Sequence, residues 1–161
     1  MVIAVALDKD ADAARPWIEV ANASYPCLID TKHVVADLYN MVNVPTVLWI
    51  DETGTIVRPN DVAYGNNQWL EAHGIDADLH KTALRDWVVN GAVPFTNDRA
   101  QALQTLPDMN HQQARAEFAL GQWLWETGNQ EAANRHFELA CELAPQDFNI
   151  RRGSMPMRDI D

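Results

Sequence analysis

Of the 161 residues, those able to carry redox or metal chemistry are two cysteines, Cys27 and Cys141, and five histidines, His33, His73, His80, His111 and His136. Thiolate is the reactive form of cysteine, and it is favoured at a helix N-terminus, beside cations or in a Cys-x-x-Cys pair. Neither cysteine has such a setting. No Cys-x-x-Cys occurs, Cys27 follows Pro26 in a short apolar run, and Cys141 falls on an Ala/Leu-rich helical face. Both read as small packed hydrophobes and give no disulfide framework. The histidines show no zinc-ligand spacing. There is neither a glycine-rich phosphate loop nor a Gly-x-Ser-x-Gly nucleophile turn.

The segment with most to say runs from Asn43 to Asp51. Thr46-Val47-Leu48-Trp49-Ile50 is a β-branched and aromatic run of buried-strand length. Pro45 cannot donate to a sheet ladder and belongs at the strand entrance. An X-Pro step leading into a core strand is a place where a cis peptide is kept. Asp51-Glu52-Thr53-Gly54 predicts a turn, with Thr55–Arg58 returning as the second arm of a hairpin.

Upstream elements must position that turn. Val2–Leu7, stopped by Asp8, has the pattern of a parallel strand covered on both faces. Ala13, Ala14, Trp17, Ile18 and Ala21 make a helical stripe, with Pro16 predicting a kink or a start near Arg15. Tyr25–Asp30 predicts a second short strand, its proline at a sheet edge. Asp30 or Thr31 caps a helix through Tyr39, with Val34, Val35, Leu38 and Met41 on one face.

This order resembles the second half of a thioredoxin-fold redoxin domain of the ResA/TlpA-like, AhpC/TSA-related kind. The resemblance covers residues 1–60 and rests on Val2–Asp8, Tyr25–Asp30 and Asn43–Thr46 running into Trp49-Ile50-Asp51 and Gly54. It implies thiol–disulfide exchange with a protein thiol or disulfide substrate, and no cofactor. It also implies that Val44, Pro45 and Thr46 dock an extended substrate by strand addition. The family's dithiol unit precedes the strand matched by Val2–Leu7 and has no counterpart here, so no residue is assigned a catalytic role. The resemblance implies that Val2–Leu7 and Thr46–Ile50 once flanked that missing central strand. Their unpaired edges then invite self-association. A fragment is the expectation, with Met1 an internal start, a selenocysteine-type ResA-like relative as one cause, and a second truncation at the C-terminus. A peroxiredoxin-type enzyme using Cys27 alone ranks last.

From Ala114 onward the pattern matches one 34-residue tetratricopeptide repeat. Leu120-Gly121, Gly128, Ala133, Phe137, Ala140 and Pro145 fill its positions, while Glu117 and Leu124 replace the usual tryptophan and tyrosine. One repeat cannot bury its own apolar faces, so the pair reads as a helical clamp completing the fold, with a peptide-binding groove as the functional rival.

The expected organisation is therefore α/β: a partial thioredoxin-like fold over 1–60, a connector with one helix (Leu79–Val89) over 61–110, a helix pair over 111–147 and an unfinished tail over 148–161. The 47% hydrophobic share is that of a globular chain. A net charge of −11 argues against nucleic acid, and no run reaches transmembrane length. No signal peptide is visible, which leaves the compartment open for an internal start. Two functions follow: a redoxin fragment inactive by itself, or a non-catalytic thioredoxin-fold module that presents helices to a protein partner.

Overall fold

The computed structural model describes residues 1–160. The chain divides into two compact units, one made of Met1–Asn43 with the residues from Pro107 onward, the other of Val44–Leu106. Both mix helix with a two-stranded sheet.

In the first unit, β1 (Ala4–Ala6) and β2 (Cys27–Ile29) pair in parallel, with Val5 opposite Leu28. Helix α1 (Arg15–Ala21) connects them, with Pro16 in its first turn, where the missing N–H costs nothing. The start near Arg15 is thus the one adopted. Helix α2 (Val34–Leu38) is short. Its first amides are held by Asp30, whose carboxylate accepts from Val34, Val35 and Ala36.

The same unit contains α6 (Met109–Glu126) and α7 (Gln130–Leu143), joined through Gly128 at φ +84°. Their contact is close because Gly121 has no side chain: a Cβ there would stand 2.7 Å from the Phe137 ring. Phe137, Ala133 and Ala140 are completely buried with Ala114, Phe118, Ala144, Ile150 and Met157 around them. Glu117 reaches His136 across the pair at 2.6 Å.

The tail differs from expectation. Residues 148–154 form α8 (Phe148–Ser154), followed by a 3-10 turn over Met155–Met157. The Asp147 carboxylate starts α8 by accepting from the amides of Asn149 and Ile150, so a cap rather than a long apolar stripe defines it. Residues 31–43 are tied to these C-terminal helices. Asn149 donates to the Met41 carbonyl at 2.7 Å, and the Phe148 amide to that of Val42 at 2.8 Å. Arg115 donates to Asn40 and Asp37, and Gln122 to the Thr31 carbonyl.

In the second unit, β3 (Val47–Ile50) and β4 (Ile56–Asp61) form the expected antiparallel hairpin, Trp49 opposite Arg58. Asp51 closes the turn by accepting from Thr53 and Thr55, with Gly54 at φ +84°. The connector expected over 61–110 carries three helices, not one: α3 (Leu70–His73), α4 (Ala77–Asn90) and α5 (Asn97–Leu103). Side-chain caps start α4 and α5, whereas α3 is a single short turn without one. Asp76 accepts from Asp78 and Leu79, and Thr96 from Arg99. Leu79 and Val88, two of the apolar residues of α4, are exposed. The 1–60 boundary also falls elsewhere, because the hairpin packs on residues that follow it: Trp49 stacks on Trp87 at 5.1 Å. The strands expected to flank one slot, β1 and β3, lie in separate two-stranded sheets.

Candidate functional site

The Val44–Pro45 peptide is cis. Val44 is 41% exposed, Pro45 is exposed and Thr46 is partly buried, and β3 starts at Val47. The chain is thus bent and exposed at Val44–Pro45 and extended from Val47 onward. Sequence reasoning placed this turn correctly because proline fixes φ and removes a donor, which leaves few places for it in a sheet.

Behind the turn, β3 is anchored by its one large buried side chain. Trp49 lies parallel to Trp87, meets His80 edge-on at 5.7 Å, and carries the Arg58 guanidinium over its face at 4.9 Å. Arg58 is also ion-paired with Asp61. Burial, and then the Arg58 charge, hold the His80 imidazole below its ordinary pKa. At the hairpin tip the Asp51 carboxyl lies below the carboxylate range, chiefly through the Thr53 hydroxyl and then the Thr55 amide.

A second set of titratable side chains lies in the first unit. His111 Nε2 stands 2.7 Å from Asp147, and both side chains are almost wholly buried. His33 sits at the N-cap of α2 with φ +56°, its ring 4.8 Å from that of Phe118. A Cβ on Gly153 of α8 would lie 2.9 Å from His33 Cε1. Burial lowers the His33 pKa, against the pull of Asp30 and Asp147. Burial raises that of Asp37, against Arg115. These groups join α2, α6 and α8, and with both partners buried the His111–Asp147 pair serves packing rather than a reaction with solute. Sequence reasoning missed it. The one signal available was Asp147 ahead of Phe148, an N-cap residue before an apolar one.

The cysteines take no part in either cluster. Cys27 lies in β2, partly buried, with its thiol 3.5 Å from the Tyr25 carbonyl. Cys141 packs beside the α6–α7 core, 4.0 Å from the Ser154 hydroxyl. Neither thiol is at a helix N-terminus. Among the described residues no cluster of three or more His, Cys, Asp or Glu side chains is arranged to hold a metal ion. Among the described residues no helix is long and apolar enough to cross a membrane.

In comparisons with known proteins, no family model, no curated protein and no solved structure matches this chain.

Proposed function

We propose that this chain is part of a thioredoxin-fold thiol–disulfide oxidoreductase of the redoxin kind. In this reading Val44, Pro45 and Thr46 dock an extended polypeptide, and the reactive thiol or selenol is supplied by a segment other than these 161 residues. The carrying observation is the exposed Val44–Pro45 turn that opens an antiparallel hairpin, after a parallel strand–helix–strand unit. Strand addition explains why docking needs no side-chain catalyst: affinity comes from main-chain hydrogen bonds. The chain alone performs no exchange in this reading, because neither cysteine has a helix N-terminus or a second cysteine beside it to activate it.

The test is a titration with an extended disulfide-bearing peptide, followed at the backbone amides. Shifts centred on Val44 and Thr46, weakened at least tenfold by Pro45→Ala, are expected, together with no insulin reduction above background. Absence of any response at residues 44–46 would overturn the docking role. Robust insulin turnover abolished by Cys27→Ser would overturn the division of labour.

The second reading, a non-catalytic protein-interaction module, is favoured by one observation. Residues 31–43 are hydrogen-bonded to α6 and α8 at Thr31, Asp37, Asn40, Met41 and Val42, so helices rather than a redox site hold this segment. It predicts the same absence of turnover but no selectivity for extended peptides.

A further inference from the structure

Helix α4 and the β3–β4 hairpin meet around one indole. His80 and Trp87 stand two turns apart on α4 and share a face. Both contact the buried Trp49 of β3, His80 edge-on at 5.7 Å and Trp87 stacked at 5.1 Å. Arg58 of β4 lies over the same indole at 4.9 Å and is ion-paired with Asp61. Three nitrogens of this group are buried without a hydrogen-bond partner: Trp49 Nε1, Arg58 Nε and His80 Nδ1. The first two can only donate. A neutral imidazole can leave Nδ1 bare, as an acceptor, which suits a place among donors. A charged imidazole carries a proton on both nitrogens, and neither Trp49 nor Arg58 can accept the one on Nδ1.

We propose that His80 is a proton-operated latch: its neutral ring holds α4 on the β3–β4 hairpin, and charging the ring releases that contact. Electrostatics favours the same direction. The charged groups acting on the ring are both on β4, where Arg58 opposes a second cation and Asp61 favours one. Arg58 is largely buried and Asp61 half exposed, and buried charges are screened least, so the repulsion prevails. On β3 the ring meets only the uncharged indole. On α4 itself the neighbouring Lys81 is paired with Asp78.

Proton linkage bounds the size of the effect. Burial and Arg58 hold the His80 pKa below the ordinary 6.5 while α4 is seated. The stability this supplies is fully present above 6.5 and is lost as pH falls towards the folded value. A ring that takes its proton only when released raises the opening constant about tenfold between pH 7.5 and 5.5, and less if the seated ring also charges.

Nuclear magnetic resonance tests the latch. The His80 ring should titrate with a midpoint below 6.5, and the Trp49 indole N–H signal should move with the same midpoint. Amide exchange across Ala77–Asn90, corrected for intrinsic rates, should accelerate by up to about tenfold from pH 7.5 to 5.5. His80→Phe keeps a ring against Trp49 that cannot charge, and should abolish the acceleration. Asp61→Asn removes the carboxylate that favours the imidazolium, and should enlarge it. A midpoint at or above 6.5, a Trp49 signal indifferent to the titration, or unchanged exchange overturns the proposal. So does equal acceleration in His80→Phe, which would assign the effect to another group. Should His80→Phe fail to fold, the paired titration of His80 and Trp49 in the wild type decides by itself. None of these outcomes bears on peptide docking at Val44–Thr46.

Discussion

His111 and Asp147 meet at 2.7 Å between α6 and the start of α8, one carboxylate oxygen taking the imidazole and the other the amides of Asn149 and Ile150. A single side chain thus satisfies a buried ring nitrogen and the first turn of a helix. Asp147→Ala removes both. An unsatisfied buried polar group costs about 1–3 kcal/mol and a lost cap about 1, so a loss of about 2–4 kcal/mol is expected in urea unfolding. Asp147→Asn keeps an acceptor for the cap and should lose less. Equal losses for the two variants would argue against the shared role.

Gly121→Ala should destabilise the first unit although alanine is the better helix former. The new methyl would sit 2.7 Å from the Phe137 ring, and overpacking costs about 1–3 kcal/mol against a propensity gain of about 1. A lowered melting temperature is expected. Gly65, where a Cβ meets nothing within 4 Å, is the control position.

Acid should loosen α2. Burial favours the neutral His33 ring in the folded chain, so its folded pKa lies below the ordinary 6.5. The stability this supplies is fully present above that value and is lost as pH falls below it towards the folded pKa. The opposing charges facing the ring are those of Asp30 and Asp147. Amide exchange at Val34, Val35 and Ala36, corrected for intrinsic rates, should accelerate from pH 7.5 to 5.5. The effect should be largely absent in His33→Asn, a substitution that tolerates the left-handed backbone at this position.

Trp49→Ala should unfold the second unit selectively. The indole is the one buried large side chain of β3 and contacts Trp87, His80 and Arg58, and truncating a core tryptophan costs about 3–5 kcal/mol. The amide signals of Ala77–Asn90 should lose dispersion while those of α6 and α7 keep theirs. Collapse of both sets would contradict the division into units.

What could be read from the residues depended on whether their cause was local. Pro45 before Val47, Gly54 and Gly128 at positive φ, Gly91 ending α4, and the Gly121–Phe137 contact each follow from chemistry within a few positions or one helix pair. Helices α3, α5 and α8 escaped because they are short, with side-chain caps at α5 and α8 only, so apolar periodicity has too few turns to show itself. The boundary at Asn43 and the pairing of His111 with Asp147 were invisible for another reason. Each is a meeting of distant segments, and nothing in either segment names its partner.

The bond from the Phe148 amide to the Val42 carbonyl has a bearing on biosynthesis. The unit containing it draws on both ends of the polypeptide, whereas Val44–Leu106 is continuous, and contacts close in sequence form soonest. On the ribosome the middle of this chain should mature before its beginning does. The opening residues then wait, exposed to chaperones and proteases, until translation delivers α8.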